Sequence, residues 1–200
     1  MQICILTGSI ATGKSTISGF LKEKGFNVFC ADTAVHQLYK EKHIVDMLRA
    51  ICPDVVHDDE VDRKILASKI FDNDYLLKTV ENIIHKEVRN LEITFLDYNL
   101  RERSPIVFID MALYYEMGAP KMIGDHKIDK VILVTTDEDV QLKRAILRGG
   151  MEEAMINKIM KLQLPSEVKK RYADYVIDNN GSVEESKQQL ELILKDIICN

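Results

Sequence analysis

A chain of 200 residues, 46% of them hydrophobic and 30% charged, is long enough for one well-cored domain and a small appended subdomain. Its formal net charge of −5 provides no overall field that would attract nucleic acid or an anionic membrane. No apolar run approaches the ~18 residues of a membrane span, and we recognise no signal peptide, so we expect a cytoplasmic protein.

The four cysteines, Cys4, Cys30, Cys52 and Cys199, are scattered along the chain. They form no CxxC pair and lack the spacing of metal ligands, and two of them lie inside apolar, strand-like runs. We therefore expect buried, reduced thiols.

The first fifty residues predict alternating strands and helices. The run "QICILT" (2–7) is typical of a short buried strand, and apolar residues at helical spacing follow over 14–24. A second strand is predicted over 26–32, ending at Asp32, before a helix over 33–40. This order is how a parallel, doubly wound sheet begins.

The middle of the chain is predicted to be helical, over 62–71 and 74–103. No strand signal interrupts this block, so it is interpreted as an insertion between the second strand and a third over 105–110. The sequence "HDDE" (57–60) contains metal-ligating residue types, but we interpret it as a solvated turn.

The last seventy residues predict two more strands and several helices. The strands cover 129–136 and, with its turn, 174–181; the helices cover 137–148, 151–163, 165–173 and 182–198. The fold class is α/β: a five-stranded parallel doubly wound sheet with a helical insertion and a helical lid.

The segment "GSIATGKST" (8–16) fits the phosphate-loop pattern G-x-x-x-x-G-K-[ST] through Gly8, Gly13, Lys14 and Ser15. Its backbone N–H groups and the positive end of the following helix are suited to hold nucleotide phosphates. Lys14 is expected to bridge the β- and γ-phosphates of ATP, and the Ser15 hydroxyl to bind Mg²⁺. The predicted nucleotide contacts in the loop are Ile10, Ala11, Thr12, Gly13, Lys14, Ser15 and Thr16.

Two aspartates end predicted strands at the sheet edge where ligands bind. Asp32 is a candidate base for the attacking hydroxyl, with helix capping as the alternative. Asp110 resembles a Walker-B aspartate that could hold Mg²⁺ through water, and a structural role is an equal alternative.

Two pairs of side chains are spaced four residues apart on one helical face. Arg144 and Arg148 precede two glycines, as arginines of a mobile lid would, although a solvated basic face paired with acidic residues is the alternative. His85 and Arg89 lie in the insertion, where they could bind acceptor phosphates or serve in packing. The residues alone indicate an ATP-dependent kinase acting on a small hydroxyl or phosphate acceptor.

Several segments in order resemble the dephospho-coenzyme A kinase family, from residue 3 to about 181. They are "LTGSIATGKSTI", "ADTAVHQL", "DRKILASKIF", "VENIIHKEVR", "DMALYYEMG", "VILVTTDEDVQLKRAILR" and "LQLPSEVKKRYADYVIDNNGS". The chain departs from the family pattern at Ser9, where the family has a second glycine, at Lys86, and at Ala112 with the Tyr114–Tyr115 pair.

The resemblance implies phosphorylation of the ribose 3′-hydroxyl of dephospho-CoA by ATP with Mg²⁺, the final step of coenzyme A synthesis. It implies Asp32, Lys14 and Arg144 as catalytic residues, with Arg148, Asn179 and Gly181 on the ATP side. On the acceptor side it implies Asp32, His36, Arg63, His85, Arg89, Leu113 and Glu116.

The resemblance also divides the single kinase domain (1–200) into three parts. These are a nucleotide-binding core (1–32, 104–140 and 174–200), a helical acceptor subdomain (33–103) and a lid (141–173). The expected partner is the small-molecule substrate, without nucleic acid or membrane. The oligomeric state is left open, with a monomer as the default.

Two other functions remain as alternatives. A nucleoside-monophosphate kinase or another small-molecule kinase of the same group would need more arginines facing its acceptor than this insertion offers. A nucleotide-binding regulator without catalysis would be expected to have lost Lys14, Ser15 or Asp32, and all three are present. A GTPase is disfavoured because the N-K-x-D guanine motif is missing.

Overall fold

The computed structural model describes residues 1–71 and 73–199. The described elements, in chain order, are β1 (Gln2–Thr7), α1 (Lys14–Glu23), β2 (Asn27–Cys30), α2 (Ala31–Leu38), α3 (Lys42–Ile51), a 3₁₀ turn (Pro53–Val55), β3 (Val56–His57), β4 (Glu60–Val61), α4 (Arg63–Phe71), α5 (Asp74–Arg101), β5 (Ile106–Asp110), β6 (Met122–Ile123), β7 (His126–Lys127), β8 (Lys130–Thr135), α6 (Glu138–Arg148), α7 (Glu153–Leu162), α8 (Ser166–Lys170), β9 (Tyr175–Asp178) and α9 (Val183–Cys199). They fall into two compact units, one of residues 1–29 with 96–200 and one of residues 30–95.

The first unit is organised by a five-stranded sheet in the order β2-β5-β1-β8-β9. The central strand β1 pairs in parallel with β5 on one side and β8 on the other, so that Ile5 faces both Ile109 and Val131. Residues Ile3 to Leu6 are buried, as expected for a strand covered on both faces. The predicted fold class, with its five parallel strands, is confirmed.

Strand pairing brings the last residues of the strands to one edge of the sheet. Leu6 pairs with Asp110, Thr7 with Leu133, and Thr135 with Asp178. At the opposite edge, carboxylates of Asp129 and Asp174 accept hydrogen bonds from strand N–H groups at 2.8 and 2.7 Å. The register of the parallel strands therefore determines which side chains meet at the ligand-binding edge.

The core of the first unit lies between the sheet and the helices α1 and α9. Leu21 and Leu190 are fully buried there beside Phe108, whose ring meets Phe26 edge-on at 5.4 Å between centroids. Helix α9 begins with a capping box, in which Ser182 and Glu185 exchange hydrogen bonds. Burial of these apolar faces holds both helices against the sheet.

The second unit has a separate core formed by α2 to α5. Ile44, Leu48 and Val55 are completely buried, and Leu66 and Ile84 pack in the same cluster. Within the helices, buried residues recur four positions apart, as with Ile44 and Leu48 in α3 and Val80 and Ile84 in α5, so that each helix has one apolar face. Helix α5 continues past residue 95 into the first unit.

Two short hairpins were not predicted. Strands β3 and β4 lie just before the block predicted to be helical, and the "HDDE" turn joins them through Asp58 and Asp59, both with positive φ. A two-residue turn of this kind suits Asp, which tolerates the left-handed region. Strands β6 and β7 form the second hairpin. Neither hairpin could be predicted from hydrophobic periodicity, because each strand has only two residues.

The prediction that the second strand reaches Asp32 is wrong. Strand β2 ends at Cys30, and Asp32 lies in the first turn of α2. The helix begins early because Ala34 and Leu38, four residues apart, form its buried face. Asp32 is thus exposed at a helix N-terminus, where the helix dipole favours a carboxylate.

None of the helices within residues 1–71 and 73–199 is long and apolar enough to cross a membrane.

Candidate active site

The phosphate loop follows the central strand and has a backbone path that its glycines allow. Gly13 has a φ of 89° and precedes α1, and Ala11 also has a positive φ of 56°. A Cβ atom on Gly13 would collide with the side-chain amide of Asn179, and one on Gly8 would lie 2.5 Å from the carbonyl oxygen of Val134. Close approach of neighbouring groups therefore requires both glycines of the motif, and backbone conformation also requires Gly13.

The N-terminus of α1 is suited to an anion. Its first turn contains no acidic residue, and no side chain of the described residues caps it. The Thr16 N–H donates to the Gly13 carbonyl at 3.0 Å, which leaves the N–H groups before it without an intrahelical partner. The helix dipole adds positive potential at the same end. A phosphate group placed there would meet both contributions.

Lys14 forms an ion pair with Asp110 at the end of β5. The two side chains are 11% and 3% exposed, so the pair is largely removed from solvent. Asp110 reaches Lys14 because strand register places it beside Leu6, just before the loop. The structure thereby pairs Asp110 with the loop lysine, a contact that the sequence did not suggest.

Asn179 connects the loop to the end of β9. Its amide donates a hydrogen bond to the Thr12 carbonyl at 2.7 Å, and its side-chain oxygen accepts one from the Ser186 hydroxyl at 2.6 Å. Asn179 is buried, with only 6% of its surface exposed, while Gly181 lies exposed two residues later. The family resemblance implied both residues on the ATP side; the structure gives Asn179 a direct contact with the loop itself.

The first half of the loop is held by side chains that sequence reasoning did not select. The Ile10 N–H donates to Gln163 at 3.0 Å, and the Ile10 carbonyl accepts from Gln141 at 2.5 Å. The Lys169 ammonium donates to the Ser9 hydroxyl at 2.8 Å. All three partners lie in segments that match the family pattern, but nothing in their local sequence indicates a contact with the loop.

Arg144 presents an unsatisfied guanidinium nitrogen. Its Nη1 atom is buried without a hydrogen-bond partner among the described residues, which leaves a donor that an anionic ligand could satisfy. Arg148 lies exposed at the last residue of α6. The alternative interpretation placed these two arginines on a solvated face, paired with acidic residues. One nearby acidic residue, Asp139, pairs instead with Lys143 at 3.4 Å.

A cavity of about 330 Å³ lies within the second unit and contains two predicted acceptor residues. The Arg63 guanidinium contacts Nδ1 of His36 at 3.2 Å. Because a guanidinium only donates, Nδ1 accepts, and His36 keeps its proton on Nε2. The lining residues are Thr33, His36, Gln37, Tyr39, Lys40, Glu60, Val61 and Arg63.

The remaining predicted acceptor residues differ in their surroundings within their own units. His85 is exposed on α5, whereas Arg89 forms an ion pair with Glu92 at 3.1 Å. Burial raises the pKa of Glu92, and the charge of Arg89 opposes that rise. Leu113 is 45% exposed in the first unit.

The aromatic pair that departs from the family pattern is packed inward. Tyr114 donates a hydrogen bond to the Pro120 carbonyl at 3.0 Å, and its ring meets Tyr115 edge-on. Burial raises the pKa of Tyr115 to about 12, and its hydroxyl has no hydrogen-bond partner among the described residues. The added bulk is thus absorbed by the core of the first unit.

Comparisons with known proteins agree on one family. The family model described as dephospho-CoA kinase matches residues 2–185. A dephospho-CoA kinase from Bartonella quintana is 35% identical over 200 residues, covering all of both chains. One from Rhodopseudomonas palustris is 34% identical over 194 residues, 97% of this chain and 94% of its own.

Solved structures extend the comparison to the fold. The structure of TT1252 from Thermus thermophilus has a TM-score of 0.81 and 28% identity, covering 98% of this chain and 97% of its own. The dephospho-CoA kinase from Campylobacter jejuni has a TM-score of 0.67 and 24% identity, with the same shares covered, and supports the fold alone.

Replacing Asn179 by Ala is expected to weaken ATP binding about tenfold, because the Thr12 carbonyl and the Ser186 hydroxyl lose buried partners. Calorimetric titration with ATP measures the change. The control is Asn180→Ala, which removes three side-chain hydrogen bonds, one with Thr136 and two with Asp137, but none to the loop. Equal ATP affinities of the two variants would contradict a role for Asn179 in holding the loop.

Proposed function

Since this chain belongs to the dephospho-CoA kinase family and is thus an ATP-dependent phosphotransferase, we propose how its own residues transfer the γ-phosphoryl group of ATP to the ribose 3′-hydroxyl of dephospho-CoA. The observation that carries the proposal is the phosphate loop. It combines an uncapped helix N-terminus with a buried Lys14–Asp110 pair. Together these offer a fixed set of donors for the phosphates of ATP.

Phosphate contacts are assigned to a narrower set of N–H groups than the sequence predicted. The Ile10 N–H is engaged by Gln163, and the Thr12 N–H approaches the Ser9 carbonyl at 3.4 Å. We therefore assign the contacts to the N–H groups of Ala11, Gly13, Lys14 and Ser15. The exposed Thr16 hydroxyl is a further candidate contact, with the α-phosphate.

The residues near the loop fit Mg²⁺. The exposed Ser15 hydroxyl and the Asp110 carboxylate are hard oxygen donors. Among residues 1–71 and 73–199 no group of three or more His, Cys, Asp or Glu could hold a metal, which suits an ion that keeps several waters and binds phosphate oxygens. When bound, Mg²⁺ neutralises charge on the β- and γ-phosphates.

Transfer of the phosphoryl group depends on positioning and on neutralising charge, because its transition state is loose. To bind the phosphate oxygens, the Lys14 ammonium group either gives up its contact with Asp110 or contacts both partners at once. Arg144 supplies the buried guanidinium donor, and Arg148 offers a second cation one turn further along α6. Asp32 accepts the proton of the attacking hydroxyl.

The acceptor is assigned to residues of the second unit. The cavity that His36 and Arg63 line has one acidic residue, Glu60, and further side chains with donor groups. These are Thr33, Gln37, Tyr39 and Lys40. This excess of donors suits the diphosphate group of dephospho-CoA. The acceptor subdomain (33–103), the nucleotide core (1–32, 104–140 and 174–200) and the lid (141–173) are kept as parts of the proposal.

We expect the purified protein to release ADP from ATP and Mg²⁺ much faster when dephospho-CoA is added, with coenzyme A as the product. A coupled ADP assay with chromatographic identification of the product tests this. A panel of nucleoside monophosphates serves as the comparison. Faster turnover of any monophosphate than of dephospho-CoA would overturn the proposed acceptor and leave the ATP site intact.

Asp32→Asn is expected to lower kcat by about a hundredfold or more while ATP binds normally, because general-base catalysis contributes 10²–10⁴. The measurement is kcat beside the Kd for ATP. Asp46→Asn, an exposed carboxylate of the same unit that pairs with Arg49, is the control and should retain near-normal turnover. Weaker ATP binding with unchanged kcat would make Asp32 a structural residue.

Arg63→Gln is expected to raise the KM for dephospho-CoA about tenfold and leave the KM for ATP unchanged, because a charged hydrogen bond to the acceptor is lost. Initial rates with each substrate varied in turn provide the test. Lys64→Gln removes the neighbouring exposed cation, outside the cavity lining, and should change neither constant. An unchanged KM for dephospho-CoA in Arg63→Gln would remove the cavity from the acceptor site.

A further inference from the structure

Lys169 is a fully buried lysine beside the phosphate loop. Its side chain is 0% exposed, on helix α8, and its ammonium lies 2.7 Å from Glu116 Oε1 and 2.8 Å from the Ser9 hydroxyl. An unpaired buried ammonium would carry a large desolvation cost, which this carboxylate offsets. The contact with Ser9 therefore comes from a charged donor held in place by its counterion.

Glu116 contacts Lys169 through one of its two carboxylate oxygens. Its Oε1 atom also accepts a hydrogen bond from the Leu164 N–H at 3.0 Å, while Oε2 is buried without a hydrogen-bond partner among the described residues. The carboxylate was predicted to line the acceptor side. Its observed contacts instead attach it to the segment that carries Lys169.

The segment of residues 163–169 also contacts the next residue of the loop, Ile10. Gln163 accepts from the Ile10 N–H, and Gln141 donates to the Ile10 carbonyl. A cavity of about 320 Å³ borders these contacts and is lined in part by Ser9, Gln141 and Gln163. The first half of the loop is thus held from outside, at two consecutive residues, by side chains of α6 and of residues 163–169.

Such a hold affects nucleotide binding because the loop binds phosphate through its backbone. If the loop adopts its binding conformation for only part of the time, the apparent affinity falls by that fraction. Ser9 and Ile10 directly precede Ala11, the first residue whose N–H we assign to the phosphates. A cation that fixes Ser9 therefore reduces the cost of ordering the loop when ATP binds.

We propose that Lys169, charged and paired with Glu116, is a positioning residue that holds the phosphate loop through the Ser9 hydroxyl and thereby sets the affinity for ATP. This inference rests on the proposed function in that ATP is taken as the ligand of the loop. It concerns a contact made through Ser9, one of the positions at which this chain departs from the family pattern. Lys169 touches neither substrate and acts only through the loop.

The test is a double-mutant cycle of Ser9→Ala and Lys169→Met, with the ATP Kd, both KM values, kcat and the melting temperature measured for each protein. Lys169→Met is expected to raise the Kd and KM for ATP about tenfold, with a smaller change in kcat and in the KM for dephospho-CoA. Ser9→Ala should weaken ATP binding several-fold. The double variant should bind ATP no more weakly than Lys169→Met alone, because the two residues act through one contact.

Two matched variants separate positioning from general stability. Lys169→Arg keeps the charge and should recover part of the ATP affinity. Lys170→Met removes an exposed lysine that pairs with Glu167 and should leave ATP binding unchanged. Should Lys169→Met fail to fold, Ser9→Ala decides, since it removes only the hydroxyl and keeps the buried ion pair.

Additive effects of the two substitutions, or an unchanged ATP affinity in Ser9→Ala, would overturn the proposal. A lower melting temperature with equal losses for both substrates would do the same, because it would make Lys169 a structural residue only. The proposed function fails differently: the wild-type protein would bind ATP without phosphorylating dephospho-CoA. In that case the ATP Kd values of the double-mutant cycle would still test the role of Lys169.

Discussion

A loop that offers its backbone N–H groups to a ligand cannot use the same groups to hold its own shape. The loop between β1 and α1 meets this constraint by taking its support from elsewhere in the first unit. Asn179 binds the Thr12 carbonyl, Gln141 and Gln163 bind Ile10, and Lys169 binds Ser9. Side chains thus replace the backbone hydrogen bonds that a helix or strand would have made. The sheet and the segment from α6 to α8 bring these side chains to the loop.

Much of the fold could be predicted because it depends on local patterns. The apolar runs of the five strands and the helical spacing of α1, α5 and α9 are legible over a few residues. The glycine spacing of the loop implies its conformation in the same way. The two-residue hairpin strands could not be predicted, since two residues show no period. Asp32 was misassigned to a strand because "FCAD" continues an apolar run, whereas the buried face formed by Ala34 and Leu38 begins the helix earlier.

The candidate site was predictable only where a motif spans it. Lys14, Ser15 and Asp32 follow from short patterns, but the partner of Lys14 depends on strand register, which places Asp110 beside Leu6. Lys169 gave no signal, because a lysine in "SEVKK" has the composition of a solvated helix end. Its burial follows from Glu116 and Ser9, residues that only the folded chain brings together. Contacts of this kind are set by tertiary packing and not by any local propensity.

The distance along the chain between the loop and its supports has a consequence for synthesis. The hydrogen bond from Asn179 to Thr12 joins residues 167 positions apart. At ribosomal elongation rates, roughly 10–30 s pass between the translation of these two residues. During that interval the glycine-rich segment exists without the groups that shape it, and the central strand also waits for β5 and β8. A nascent chain therefore lacks the full set of contacts that hold the phosphate loop until the strand that ends at Asp178, and Asn179 after it, have emerged.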